Sequence, residues 1–412
     1  MTVKADITLE YCLDKAESNY PLIRKYSIVE RTCDIELADI NKTWLPKIEV
    51  YAQGTAQNAV PQFPESLKDI LSQMGQDMKG MGHLQYKVGA DISQTIWDGG
   101  ATRARREIER ASAEESRASV SVEMYAMRQK VMNLFFAVLL TEEQIARAES
   151  SASLLEANFT QIKSMHLRGV AMQSDVDMVE AQLLTTRQQI ISARSASDSY
   201  RQLLSVYTGE DIGAQKFVKP AATMPETLDS DRPELTLFDA RNRLLKARQN
   251  AVDVTVMPRI GFFAQTYYGY PGINYFESIM KRDLSFNILA GIKVSWNIDS
   301  FYTKKDSRNK LLLAGENVAN DLELFRFNTN LQTRTQTDAI DGLRKVMKED
   351  NRIVELRGNV RRAAESQLAN GIIDATALLS KITDENQARL TASYHEIQLL
   401  QNIYQLRYIL NR

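Results

Sequence analysis

No apolar run in this sequence is long enough to cross a bilayer as a helix, which takes about eighteen residues or more. The strongest, from Val131 to Leu140, spans ten residues and is broken by Asn133. A helical membrane protein is therefore excluded. Cysteine is nearly absent: Cys12 and Cys33 are the only two, too few for a disulfide scaffold and wrongly spaced for a metal site, so both read as small buried apolar residues. The three histidines, His83, His166 and His395, lie in unrelated segments. There is no phosphate-cradling glycine loop, nucleophile elbow or His/Cys ligand spacing, so the reading is of a non-enzyme with no catalytic residues, no cofactor and no metal. An excess of charge is missing too. The formal net charge is −1, and no concentrated basic surface points to a nucleic-acid partner. Met1 is followed by "TVKAD", with neither a basic nor an apolar leader region, so no signal peptide is visible. Two readings follow, a cytoplasmic protein or a mature sequence with a start Met added.

What the chain has is a repeat of itself. Pro21 of "NYPLI" and Pro233 of "DRPEL" each stand just before a helical stretch, and Pro46 of "WLPKIEV" and Pro258 of "VMPRIGF" each stand just before a strand. Further on, Trp97-Asp98-Gly99-Gly100 corresponds to Trp296-Asn297-Ile298-Asp299-Ser300-Phe301, and Gly169 corresponds to Gly371. The offset is 212 at both proline pairs and 202 at the glycines, so the second copy is about ten residues shorter, a loss that falls between two strands. The chain thus reads as one structural unit used twice. The predicted boundaries are 1–209 for the first repeat, 210–231 for an irregular linker and 232–412 for the second repeat.

Nine prolines and eighteen glycines in a chain rich in Ala, Ser, Gln, Glu and Arg predict much helix. Four runs alternate instead. Ile48, Val50 and Ala52 lie opposite Glu49, Tyr51 and Gln53; Tyr86, Val88, Ala90, Ile92 and Ile96 lie opposite Gln85, Lys87, Asp91, Ser93 and Thr95. Ile260, Phe262, Ala264 and Tyr268 form the third apolar row, and Phe286, Ile288, Ala290, Ile292, Val294 and Trp296 the fourth. Strands of about ten residues with one apolar face match a tilted bilayer crossing, although a half-buried soluble sheet gives the same pattern. The connections within each strand pair are long loops. One carries Met74, Met78 and Met81 near His83, and a flexible Met-rich loop is the simpler reading there than a soft-metal site. Tyr267, Tyr268, Tyr270, Tyr275 and Phe276 suggest either an interfacial aromatic girdle or the packing of a loop.

After Gly100 a helical pattern runs without Pro or Gly to Arg168, and Val120, Met124, Met127, Val131, Leu134 and Val138 step in heptad rhythm, as do Leu155, Phe159, Ile162 and His166. At 1.5 Å per residue such a helix is on the order of 100 Å long. Gly169 ends it and a second helix returns; Gly371 marks the same hairpin turn in the second copy. Four strands cannot close a barrel, for which about eight is the practical minimum, so strands placed in a membrane require several copies of the chain.

In order and in both copies, "ITLEYCLDKAESNYPLI", "RPELTLFDARNRLLKARQ", "WLPKIEV", "MPRIGFF", "IWDGG" and "RGVAMQSDVDMVEAQL" resemble the TolC-type outer-membrane efflux protein family. The resemblance implies a mainly α, mixed fold. Long antiparallel helical hairpins would form an α-barrel tunnel in a homotrimer, with four strands per chain entering a twelve-stranded transmembrane β-barrel. It implies an outer-membrane exit duct for a tripartite efflux pump or type I secretion system of a Gram-negative bacterium. The duct would be passive and gated at its periplasmic tip, with a periplasmic adaptor protein, an inner-membrane transporter and outer-membrane lipid as partners.

The resemblance also implies that the turns at Gly169 and Gly371 form the tunnel entrance. Asp175 occupies a position where the family often places an acidic residue that holds the entrance closed. A helix-capping or solvated first-turn carboxylate is the alternative for it. Ala377 and Ser380 stand where some members carry further acidic residues, with Asp374 as a substitute. Arg168 and Asn370, just before the glycines, are candidate adaptor contacts. Trp97, Asp98, Gly99, Gly100, Trp296 and Asp299 mark the strand-to-helix junctions. The rival from another class is a periplasmic coiled-coil adaptor or scaffold without a barrel.

Overall fold

The computed structural model describes residues 6–75, 80–213 and 215–412. Their elements follow the repeat. The first copy runs α1 (Leu9–Asn19), α2 (Ile23–Lys42), β1 (Lys47–Ala56), α3 (Glu65–Gln73), β2 (Leu84–Trp97), α4 (Ala101–Leu167) and α5 (Gln173–Thr208). The second runs α6 (Pro233–Val254), β3 (Arg259–Tyr270), α7 (Tyr275–Lys281), β4 (Ser285–Ser295), α8 (Ser300–Ala369) and α9 (Ala375–Leu410). Pro21 sits in the turn that splits α1 from α2, whereas Pro233 is the first residue of α6, where a missing N–H costs nothing. The two connections read as long loops each contain a short helix, α3 and α7. Asn274 caps α7, its side chain accepting the Glu277 N–H at 3.3 Å. Among the described residues no helix is long and apolar enough to cross a membrane.

The chain forms two compact units, and each draws on both copies. The first comprises Met1–Ile28, Ser116–Asp239 and Ala319–Arg412 and is helical. The heptad positions of α4 lie in its core: Val120, Met124, Met127, Val131 and Val138 are buried together with Phe135 and Phe136, against Leu9 and Cys12 of α1, Leu204 of α5 and Ile397, Ile403 and Leu406 of α9. Both cysteines are free thiols, and burial pushes the Cys12 thiol up to about 12. The linker after α5 is irregular but anchored. Ile212 and Phe217 are buried, Ile7 forms a parallel bridge with Phe217, and the Arg201 guanidinium lies over the Phe217 ring at 4.7 Å while donating to the Gln215 carbonyl at 2.8 Å.

The second unit comprises Val29–Glu115 and Ala240–Val318 and contains the sheet, antiparallel in the order β1-β2-β3-β4. Ile48 pairs with Ile92, Ile92 with Ala264 and Ala264 with Ala290, so the apolar rows of all four strands fall on one face. At one end of the sheet the two loops pack together: Met81, Tyr270 and Ile279 are buried with Val60 and Phe63, and Phe63 stacks on Phe276 at 6.1 Å. The Gly82 N–H donates to the Tyr270 hydroxyl at 2.7 Å, and Arg282 Nε donates to the Gly80 carbonyl at 2.7 Å. The Met-rich loop forms no common site. Met74 is exposed, Met81 is buried with its sulfur accepting from Gln85 Nε2 at 3.8 Å, His83 Nδ1 meets the Gln57 carbonyl at 2.8 Å, and Met78 lies outside the described residues.

At the other end the strands turn into helices through two unlike junctions. Gly99 and Gly100 take φ of +69° and +94°, the left-handed region that side chains resist. A Cβ on Gly99 would also stand 2.5 Å from Met257 Cβ and 3.0 Å from the Pro258 carbonyl. Asp98 closes the turn, its two carboxylate oxygens accepting the Gly100 N–H at 2.9 Å and the Thr102 N–H at 2.5 Å. Burial alone would raise its pKa, but hydrogen bonds from the Thr102 side chain and from the Thr102 and Gly100 N–H groups outweigh it and hold the carboxyl below the usual range. The second junction has no left-handed residue. There the Ile298 and Asp299 carbonyls accept the Phe301 and Tyr302 N–H groups at 3.1 and 2.9 Å, and Trp296 Nε1 donates to the Val256 carbonyl at 2.9 Å.

Gly99→Ala is expected to lower stability by at least about 1–2 kcal/mol from the left-handed strain alone, with the Met257 clash added. Gly342→Ala, in the middle of α8 with nothing within 4 Å of the added Cβ, is expected to raise stability by up to about 1 kcal/mol. Thermal unfolding of the two variants in one detergent checks both signs.

Candidate functional site: two hairpin turns and a two-faced sheet

The turns between paired helices are built alike. Gly169 and Gly371 take φ of +74° and +71°, and a Cβ on either would meet nothing within 4 Å. Their requirement is therefore the left-handed turn and not packing. In the first turn the Val170 N–H donates to the Met165 carbonyl at 3.0 Å and the Gly169 N–H to the His166 carbonyl at 2.9 Å. In the second, Ile372 and Gly371 donate to Gln367 and Leu368 at 2.9 and 3.0 Å. This crossed pair satisfies the last carbonyls of α4 and α8. His166 Nδ1 adds a contact to the Ala171 carbonyl at 3.0 Å.

Each returning helix then starts on a carboxylate. Asp374 is the N-cap of α9, its Oδ1 accepting the Ala377 N–H at 2.8 Å. Asp175 is in the first turn of α5, where Oδ2 accepts the Met172 N–H at 3.0 Å. Both satisfy amide donors and complement the positive end of a helix. Arg168 and Asn370 are exposed at the ends of α4 and α8, and their side chains donate to the Ser164 and Ser366 carbonyls at 3.2 and 2.8 Å. Around them Leu167, Val170, Met172 and Ile372 leave apolar surface open.

Below the turns the two hairpins share a core of Leu155, Ile162, Met165, Val176, Val179, Leu368, Leu378 and Ile382. Next to it lies a charge cluster that the spacing of residues did not announce. Glu385 is 3% exposed and accepts from Arg389 Nη2 at 2.6 Å and from Arg361, which also pairs with Glu365. Burial would raise the Glu385 pKa, but hydrogen bonds from Arg389 and Arg361 and the two guanidinium charges override it and hold the carboxyl below its usual value.

The sheet has two chemically opposite faces. Its apolar face is exposed: Val50 is 77%, Ile292 69% and Val294 66% accessible, and Ile48, Val88 and Ile288 are also open. Every charged residue of the four strands lies on the other face, namely Lys47, Glu49, Lys87, Asp91, Arg259 and Lys293. Aromatic rings border the apolar face at both ends. At the loop end stand Tyr86, Tyr268 and Phe286, and at the helix end Trp97 and Trp296. Trp97 reaches that face through a bulge between Thr95 and Trp97, which sets it opposite Ile260. Eleven residue steps from Tyr86 to Trp97, at about 3.3 Å each and tilted by about 40°, span roughly 28 Å, close to the apolar band of a transmembrane barrel. Of the tyrosines predicted for a girdle, Tyr268 and Tyr270 fall on this face, Tyr270 directly opposite Tyr86. Tyr267 is on the charged face under the Lys87 ammonium at 4.7 Å, Tyr270 is buried beneath the loops, and Tyr275 and Phe276 lie on α7.

Residues 34–210 match the model of a family described as outer membrane efflux protein, a stretch that runs from α2 to just past the end of α5. No curated protein matches this chain by sequence. In fold this chain is similar to VceC of Vibrio cholerae at 8% identity and a TM-score of 0.72, over 98% of this chain and 95% of that one. It is similar to CmeC of Campylobacter jejuni at 13% identity and a TM-score of 0.68 (98% and 85%), and to MtrE of Neisseria gonorrhoeae in its open state at 14% and 0.70 (98% and 89%). The efflux family is one of channel proteins, and the mainly helical fold with one four-stranded sheet is common to these structures.

Glu385→Gln removes the charge between two guanidinium groups, and breaking a buried pair of this kind is expected to cost about 3 kcal/mol. Because the folded pKa of Glu385 is depressed, its contribution is full above the ordinary glutamate range and disappears as pH falls through the lower folded value. Melting temperatures followed downward from neutral pH should therefore fall less in Glu385→Gln than in the parent chain.

Proposed function

We propose that this chain is the outer-membrane exit duct of a tripartite efflux pump or type I secretion system in a Gram-negative bacterium, working as a passive channel. The sheet carries this reading: an exposed apolar face bordered by aromatic belts, all strand charges on the opposite face, and unpaired edges at β1 and β4. Lipid covers such a face, and lipid does not tolerate open edges, since each unsatisfied backbone group there costs several kcal/mol. Three copies give twelve strands with the charged face around an aqueous lumen. The repeats 1–209 and 232–412, joined by 210–231, are then two quasi-equivalent staves of one wall. A soluble periplasmic adaptor gains nothing from bilayer-length strands dressed in this way, so the duct is favoured over it.

The turns at Gly169 and Gly371 form the periplasmic entrance. Threefold symmetry makes a ring of three carboxylates from Asp175, and Asp374 adds a second, so the constriction favours cations when closed. Arg168, Asn370 and the apolar Leu167, Val170, Met172 and Ile372 face the periplasmic adaptor, which links the duct to the inner-membrane transporter.

Membrane fractionation with heat-modifiable migration on a denaturing gel is expected to place the chain in the membrane as a trimer, and a monomer that stays soluble without detergent would overturn the duct. In planar bilayers Asp175→Ala is expected to raise conductance. Asp175→Asn keeps an acceptor for the Met172 amide while removing the charge, and should raise it as well. If only the Ala variant conducts more, Asp175 acts as a helix cap and not as an electrostatic latch.

A further inference from the structure

The charges on the polar face of the sheet are not evenly mixed. Four are cationic and two anionic, and the register sorts them along the strands. Glu49 and Asp91 are direct cross-strand partners in the middle of the sheet, and Lys87 lies beyond them toward the loop end. The other three cations gather at the helix end. Lys47 shares a row with Ser93, Phe263 and Gly291, Lys293 pairs with Gly261, and Arg259 pairs with Ser295, so all three fall within adjoining rows.

These three side chains line one recess of about 220 Å³. Its remaining polar lining includes the Thr43, Ser93, Thr95 and Ser295 hydroxyls, and no carboxylate borders it. Among the described residues, none of the three cations makes an ion pair or a side-chain hydrogen bond. Elsewhere in the chain buried or half-buried guanidinium groups find carboxylates, as Arg361, Arg389, Arg201 and Arg232 do. Three unpaired cations in three successive rows on one face of the sheet repel one another, and an anion among them relieves that repulsion. Hydroxyls supply the hydrogen bonds an oxyanion accepts, and the Arg259 fork fits a carboxylate, sulfonate or phosphate group.

We propose that this recess is an anion-binding station on the lumen wall, just where the strands give way to the helices, and that it biases the duct toward anionic cargo. The inference rests on the reading that the charged face lines the lumen. Given that reading, a trimer places nine cations around one level of the channel, with the Glu49–Asp91 row further outward. An anion arriving from the helical side meets the cationic level first, which raises its local concentration before it passes the carboxylate row.

The test is the reversal potential of the full-length trimer in planar bilayers under a potassium chloride gradient, repeated with sub-millimolar inorganic phosphate. Against the cation preference set by the carboxylates at the entrance, the parent channel is expected to show phosphate-dependent block and a higher chloride-to-potassium permeability ratio than variants that lack these cations. Lys47→Gln, Arg259→Gln and Lys293→Gln together should lower that ratio at least about twofold and abolish the block. Lys293→Glu alone should act in the same direction, while Lys293→Arg should not, so the readout does not depend on one variant folding. A conducting trimer whose selectivity and phosphate response are unmoved by these changes overturns the anion station and leaves the duct standing. Loss of all trimer and conductance in the parent chain overturns both. Phosphate could also be presented by a lipid headgroup, so the parent and triple variant are compared in bilayers of zwitterionic and of anionic lipid. An effect present only in anionic lipid assigns the site to headgroups and overturns the cargo reading.

Discussion

Everything in this structure answers to a sheet that cannot exist alone in its own medium. Four strands offer lipid an apolar face and at the same time offer it two rows of unpaired backbone amides and carbonyls. Bilayer hydrocarbon accepts the first and rejects the second. Water reverses both preferences. In the proposed duct, closure by further copies of the chain is the arrangement that satisfies face and edge together, which would make oligomer formation a condition of the strand fold and not a later addition to it. The repeat serves the same end. A duplicated hairpin doubles the strands per chain and so reduces the number of chains needed to close the wall.

The helical unit is stabilised by a different physics. Its inner surfaces are dry aliphatic and aromatic packing with a few desolvated charge clusters, and the Glu385 group shows the cost of such a choice: one carboxylate requires two guanidinium groups and the space vacated by Gly358, where a Cβ would stand 3.1 Å from Glu385 Oε1. Stability is thereby concentrated in the body of the hairpins, while the glycine turns make no packing contact that substitution would disturb. A region anchored behind its tips and unpacked at them can change the arrangement of its tips without unfolding its core.

Much of this was legible in the sequence, and what was missed shares one cause. The strands showed because a period of two with one apolar set is a local signal, and the helix ends showed because Gly169, Gly371, Gly99 and Gly100 stand where left-handed backbone is needed. The bulge did not show, since Ile96 and Trp97 are both apolar and either could have continued the alternation. Helices α3 and α7 are short stretches inside long connections, below the length at which helical periodicity is read with any force. The girdle was drawn too widely because Tyr267 and Tyr268 are neighbours in sequence, whereas a strand sends neighbours to opposite faces, and because Tyr270, on the face of Tyr268, is covered by the loops. The Glu385 cluster and the Lys47, Arg259 and Lys293 recess were invisible for a stronger reason. Their members come from different helices or different strands, and only the register brings them together.

The bulge in β2 has a further meaning for the history of the chain. Without it, counting by twos from Tyr86 would carry Trp97 to the charged side; the pairing of β3 with β4, which ends at Ser295 just before Trp296, has no such shift. The first copy has one residue between which it changes phase, and the second copy has none, yet both present indole rings at the same border. Duplicated strands that drift in length by one residue ordinarily turn inside out beyond the change. Here a single irregular step absorbs the drift, so the two halves have been free to diverge in count while remaining bound to one orientation toward the membrane.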